Sequence, residues 1–167
     1  MVNQQLLFLK EKIQDINSAI FFNLSDAVLK LPTSIITTLK VDEFGYVWFF
    51  VERPKQQLNE FEKEFPARMD YFRKGKDYSL QIMGKAWIVT DPEELAMAID
   101  LSDDLKEKAL NQMVLVKVKM MKADMFENIT GQKTSWLRNA LTTLQEWIFP
   151  HTGNYGPTTY YPVSQAS

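Results

Sequence analysis

The sequence has no cysteine. That excludes disulfides, thiolate metal sites and a cysteine nucleophile, and it fits a reducing compartment. There is one histidine, His151, which argues against a histidine-based zinc site. Charge of one sign is also lacking. A formal net charge of −2 leaves no strong field to draw nucleic acid or an anionic membrane surface. No apolar run approaches the roughly 18 residues of a spanning helix. The opening "MVNQQLLFLKEKIQDI" has no basic leader segment, and Lys10, Glu11 and Lys12 interrupt its apolar residues. The expectation is a cytoplasmic protein. Internal repeats, a nucleophile elbow, a P-loop and a dinucleotide glycine fingerprint are all absent.

What is present is apolar and aromatic. Of 167 residues, 46% are hydrophobic, with 11 Phe, 6 Tyr and 4 Trp, enough for one full core. Leu6, Leu9, Ile13, Ile16 and Ile20 recur at intervals of three and four, which predicts a helix over 2–16 packed by one stripe. "AIFFN" (19–23) is a candidate first strand. "TSIITTLKV" (33–41) is β-branched, and "DEFG" then turns into "YVWFFV" (46–51). Together these predict a β-hairpin over 33–51.

The second arm of that hairpin is apolar on both faces. Tyr46, Trp48 and Phe50 point one way, and Val47, Phe49 and Val51 the other. A barrel interior on one side, with a subunit interface or a ligand on the other, would account for it. "PKQQLNEFEKEF" (54–65) reads as a helix, with Pro54 in its first turn and Leu58, Phe61 and Phe65 on one face. Residues 66–90 read as a second hairpin turning at "KGK". Its second arm carries Tyr78, Leu80, Ile82, Gly84, Ala86 and Ile88 on one face. A glycine inside a strand marks a bulge, a barrel corner or a close backbone approach; a barrel corner is the expected role here. The cluster Arg73, Lys74 and Lys76 reads as a solvated turn.

Asp91 and Pro92 open a helix, a short helix covers 103–110, and 112–127 is a long strand with Val114, Val116, Val118 and Met120 inward. A further amphipathic helix follows Gly131, carrying Leu137, Ala140, Leu141, Leu144 and Ile148 on one face. A polar Tyr/Pro/Gly tail completes the chain. The expected fold is mainly β with peripheral helices, a small antiparallel barrel. The expected division is 1–127 for the barrel with its N-terminal helix, and 128–167 for a C-terminal helix and tail packed on or extending from it.

The stretches "GYVWFFVERPKQQLNEF" and "YSLQIMGKAWIVTDPEEL" resemble the pyridoxamine 5′-phosphate oxidase-like family, in its general stress protein 26-type group. Trp48, Phe49 and Phe50 match its "WFFT"-like strand; Gly84, Ala86 and Asp91 match its glycine-containing strand that runs into a helix. The resemblance covers roughly 5–127 and implies a Greek-key-like split β-barrel, a homodimer and FMN in the cleft between subunits. It implies phosphate contacts from Thr37, Thr38, Arg53, Lys55 and the helix start near 55, and a flavin wall from Trp48, Phe49 and Phe50. The pattern departs at several positions. Lys55 stands at the family's serine, Gln57 at its lysine and Val51 at its threonine, and "PTSIITTL" lacks the arginine of the preceding strand. A neutral Gln57 removes a charge-assisted phosphate contact. Besides a lipid or tetrapyrrole binder using the aromatic cleft, two functions follow as expectations. One is an FMN protein with flavin-dependent oxidoreductase chemistry, pyridoxamine phosphate oxidation itself not being expected. The other is a non-enzymatic dimeric module that has lost the flavin and binds another ligand or a protein.

Overall fold

The computed structural model describes residues 3–98 and 103–127. The predicted C-terminal helix and tail lie outside the described residues. Helix α1 (Gln4–Ile16) opens the fold. The Asn3 side chain accepts the Gln5 amide at 3.1 Å. At the other end Asn17 adopts the left-handed conformation (φ 67°) and returns its N–H to the Ile13 carbonyl, a helix-ending geometry that asparagine tolerates better than most residues. Leu9, Ile13 and Ile16 are buried beneath it. Ile20, the last member of the predicted stripe, instead belongs to β1 (Ser18–Asn23), because the αL residue at 17 breaks the helical period before it.

Five more strands complete a closed antiparallel barrel: β2 (Ser34–Val41), β3 (Tyr46–Glu52), β4 (Glu64–Tyr71), β5 (Tyr78–Val89) and β6 (Met113–Glu127). Around the wall the order is β1-β2-β3-β6-β5-β4, and β4 closes on β1. Both predicted hairpins form. In the first, Gly45 takes φ 81° and the Asp42 carboxylate accepts the amides of Phe44 (3.0 Å) and Tyr46 (2.9 Å). In the second, Gly75 takes φ 87°. Positive φ costs glycine little and most other residues considerably more.

The interior is a continuous apolar core. The alternation read in β3 holds, with Val47, Phe49 and Val51 inside. Phe21 meets Phe49 at 5.2 Å and Phe65 at 6.3 Å between ring centroids, within the range of favourable aromatic pairs. β5 contributes Tyr78, Leu80, Ile82, Ala86 and Ile88, and β6 contributes Val114, Val116, Val118 and Met120.

Gly84 sits at an irregularity of the β5–β6 ladder. Met83 pairs with Lys122 and Gly84 with Met120, so Met121 is an extra residue on β6. This is the bulge and close-approach form of a strand glycine.

One predicted element does not form. Residues 54–65 are not an α-helix; they hold a single 3₁₀ turn at Leu58–Glu60, and β4 begins at Glu64. Phe65 pairs with Ala86 and Ala67 with Gly84, while β4 also pairs with β1 along Ala67–Tyr71. A helix running to 65 would remove the pairing of Glu64 and Phe65 with β5, so tertiary pairing overrides local helical preference.

After β5 the chain forms α2 (Pro92–Ala98) and α3 (Asp103–Gln112). Asp91 caps α2, accepting the Glu93 amide at 2.8 Å. At the opposite end of the barrel, the turn of the second hairpin clamps the end of α1. Lys76 pairs with Asp15 at 2.6 Å, the Tyr78 hydroxyl donates to the same carboxylate, and Arg73 reaches the Asp15 carbonyl at 3.4 Å. Arg73 and Lys76 are therefore helix-end ligands rather than merely solvated charges. Cations at a helix C-terminus are favoured by its dipole.

Candidate functional site

The hairpin β2–β3 carries most of the residues singled out in sequence, and the barrel wall sorts them by face. Thr38 pairs with Phe49, and both side chains point inward. Phe49 is fully buried in the aromatic core. The Thr38 hydroxyl lies 2.7 Å from the hydroxyl of Tyr71 in a buried hydrogen bond. Neither is free to meet a ligand outside the barrel. Burial pushes the Tyr71 phenol well above the ordinary tyrosine range, with the Thr38 bond opposing it.

Their neighbours face out. Thr37 is exposed on β2 and Phe50 is half-buried on β3, and the ladder direction set by Thr38–Phe49 brings them to adjoining positions of the outer wall. β3 then runs into an exposed loop holding Arg53, Lys55 and Gln57. Arg53 donates from Nη2 to the Leu110 carbonyl at 2.8 Å, and its amide bonds the Gln112 carbonyl at 2.9 Å. These bonds fix the start of the loop and leave further guanidinium donors unused. Because no α-helix starts near 55, the helix-terminus donors expected for a phosphate are not there. Any anion held at this loop would depend on the Lys55 and Arg53 side chains and on extended backbone.

Trp48 occupies a different environment. It faces outward but is only 7% exposed, packed with Val89, Leu115 and Ala98 and flanked by Leu95 of α2 and Leu110 of α3. Trp48 is shielded by its own chain, while Tyr46 and Phe50 on the same face stay partly exposed. The indole Nε1 donates to Asp42 Oδ2 at 2.9 Å. The ammonium groups of Lys40 and Lys117 stand 5.2 and 5.4 Å from its ring centre, at cation–π distance. Lys117 is also paired with Glu94 of α2. Trp48 is thus anchored on all sides by its own chain, and Phe50 is the one ring of "WFF" that combines an outward direction with partial exposure.

Sequence reasoning gave Asp42 a turn role and Tyr71 a core role, but did not single out Asp42, Tyr71, Lys40 or Lys117 as partners of the candidate site residues. Asp42 carried a local signal, as an acidic residue opening a tight turn. Tyr71 and Lys117 carried none, because their partners are far away in the chain. Among the described residues no cluster of three or more potential ligands could hold a metal ion, and no helix is long and apolar enough to cross a membrane.

No protein-family model matches this sequence, and no curated protein sequence matches it either. Solved structures do. One is a protein related to general stress protein 26 of B. subtilis (pyridoxinephosphate oxidase family) from Clostridium acetobutylicum. It superposes with a TM-score of 0.57 at 11% identity, over 76% of this chain and 91% of the other. The chain has the split-barrel fold of general stress proteins. A candidate general stress family protein from Xanthomonas campestris pv. campestris gives 0.56 at 16% identity, over 79% and 92%. The general stress FMN/FAD binding protein of Xanthomonas citri gives 0.54 at 16% identity, over 78% and 93%. The resemblance read from "WFF" and from Gly84, Ala86 and Asp91 therefore holds for the fold. At these identities the likeness carries the barrel and leaves the site to be argued from its own residues.

Proposed function

We propose that this split barrel binds a flavin mononucleotide on the outer strip formed by Thr37 and Phe50, with the phosphate toward Arg53 and Lys55. The observation that supports the reading is the sorting of faces in the β2–β3 hairpin. It leaves one exposed hydroxyl and one partly exposed ring adjoining on the outer wall, with two exposed basic side chains in the loop that follows β3. A fused aromatic ring needs an apolar wall with a few donors, and a phosphate needs positive charge. The general stress FMN/FAD binding protein that shares the fold agrees with this choice of ligand.

The residues fit the group in part. Thr37, Phe50, Arg53 and Lys55 suit it. Gln57 is exposed on the same loop and can offer only neutral hydrogen bonds. Phe49, Thr38 and Trp48 do not take part, since each is committed to the barrel or to α2 and α3. When bound, the flavin would supply hydride chemistry, and the chain would hold and orient it. Thr37 is exposed and Phe50 is only partly covered, packing at the edge of the Trp48 cluster, so a second copy of the chain is proposed to close the cleft. Reaction with a small-molecule substrate would take place in that shared space.

A second reading has its own support. The Thr38 hydroxyl is already bonded to Tyr71, and no helix begins at 55. Both remove phosphate donors, which favours a dimeric module that holds a different ligand or a protein. Titration of the purified protein with FMN, followed by flavin fluorescence, separates the two. The flavin reading expects micromolar or tighter binding, weakened about tenfold by Lys55→Ala, the loss of one charge-assisted contact. Absence of binding at that level selects the second reading. An equal loss on Lys76→Ala, whose ammonium is engaged at the far end of the barrel by Asp15, would remove the phosphate from the Arg53–Lys55 loop.

A further inference from the structure

The outer wall of β1 and β2 carries an open apolar group, Ile20, Phe22 and Ile35, beside the exposed pair Ser18 and Thr37. Ile20 pairs directly with Ile35 across the two strands. Ile35 is 82% exposed, and Ile20 and Phe22 are half-buried beside it. Arg68 borders the patch, its guanidinium 4.3 Å from the centre of the Phe22 ring. The Trp48 wall is equally apolar, yet α2 and α3 cover it. An aliphatic side chain as exposed as Ile35, in the middle of an apolar cross-strand group, marks a surface that something covers.

The sequence beyond β6 offers a matching surface. Leu137, Ala140, Leu141, Leu144 and Ile148 fall at helical spacing, with Arg138, Asn139, Thr142 and Glu146 between them. Such a stripe needs an apolar partner, and the barrel interior is already full.

Reach and attachment decide the occupant. β6 ends at Glu127, which pairs with Tyr78. Leu80, two residues on, pairs with Tyr71, and Tyr71 pairs with Ala19, the neighbour of Ile20. The chain therefore leaves β6 near the barrel rim that also carries the start of β1. From β6 to β2 by way of β5, β4 and β1 is four strand spacings, about 19 Å. Residues 128–133 can span about 20 Å when extended, which delivers the stripe to the open wall. A tethered segment also acts at an effective concentration of order millimolar, well above a second copy of the chain in dilute solution.

We infer that the 134–149 segment packs its apolar stripe on the Ile20–Ile35 wall of the same chain, as α2 and α3 cover the Trp48 wall. Thr37 is the next outward residue of β2 after Ile35 and pairs with Ser18 of β1, so this wall adjoins the flavin strip, but the inference does not depend on a flavin being bound there.

The absence of cysteine makes a clean test available in the full-length protein. Ile35→Cys is combined in turn with Leu137→Cys, Leu141→Cys, Leu144→Cys or Ile148→Cys. The polar-face partner Asn139→Cys serves as control. Under mild oxidation at micromolar protein, at least one apolar-face pair is expected to close into a disulfide of monomeric mass at least about ten times faster than the control. Monomers that close no faster than the control would overturn the inference. Covalent dimers alone would overturn it too and assign the wall to another chain. Exposed Ile35 tolerates the exchange, and far-UV circular dichroism confirms the fold of each variant.

Discussion

Gly84 lies directly against the backbone of Lys119 across the β5–β6 ladder. A Cβ built on Gly84 would stand 2.9 Å from the Lys119 carbonyl carbon and closer still to its oxygen. The bulge at Met121 draws the two strands into that approach. Because the obstacle is backbone and not a flexible side chain, Gly84→Ala can be relieved only by moving a strand. It is expected to destabilise the barrel by about 2–4 kcal/mol. Chemical denaturation checks this. A loss below about 0.5 kcal/mol would mean the strands are not this close.

The Thr38–Tyr71 bond gives a second expectation, with its own internal control. Tyr71→Phe leaves the buried Thr38 hydroxyl without that partner and is expected to cost about 1–3 kcal/mol. Thr38→Val leaves the Tyr71 hydroxyl only the weak Met69 sulfur acceptor at 3.9 Å. The double variant removes both polar groups together and should be distinctly less unstable than the sum of the singles. Strict additivity would show that the two hydroxyls do not depend on each other.

The clamp between α1 and the second hairpin predicts an acid response. The bond from Lys76, and next that from Tyr78, hold the Asp15 carboxyl below the usual aspartate range. A depressed carboxylate stabilises the fold above its unfolded pKa and loses that contribution as pH falls through the folded value. Unfolding midpoints should therefore drop as the pH is taken below about 4, and Asp15→Asn should flatten that part of the profile. An unchanged acid slope in Asp15→Asn would assign the response to other carboxylates.

The alkaline limb has the opposite origin. Tyr71 is raised by burial, and Tyr78 by burial and then by the Asp15 carboxylate. Above about pH 10, where an ordinary tyrosine ionises, the unfolded chain releases protons that the folded chain retains. Stability must then fall with rising pH. Tyrosinate absorbance should show a fraction of the six tyrosines ionising only as the protein unfolds. Ionisation of all six ahead of unfolding would contradict the burial of these two phenols.

If the flavin lies on the outer strip, removing the Phe50 ring with Phe50→Ala should weaken FMN binding more than Trp48→Phe, since Trp48 is covered by Leu95, Ala98 and Leu110. Fluorescence titration of the two variants checks this. The reverse order would return the ligand to the Trp48 wall.

Much of the barrel was legible because strand periodicity is a local property. The alternation of Val47, Phe49 and Val51 against Tyr46, Trp48 and Phe50 gave the two faces of β3, and Asp42 with Gly45 gave the turn before it. The site was less legible. Thr37 and Thr38 are adjacent and chemically identical, yet one is exposed and the other is bonded inside the barrel. Nothing near them in the chain distinguishes the two, because Tyr71 is 33 residues away. The 54–65 segment failed for a related reason. Its helical spacing was real, but pairing with β5 required its last residues, Glu64 and Phe65, as a strand.

The sequence by itself determined that this protein is a mainly β barrel with helices at its margins, because side-chain alternation and turn residues act over a few positions. It also marked Gly84 as a place where a side chain was not wanted. Only the tertiary structure decided which carbonyl made it so, which threonine faces solvent, and that Trp48 is covered by α2 and α3 of its own chain. Those outcomes depend on strand register and on which strands become neighbours when the sheet closes. Both are set by contacts between residues that are distant in the chain.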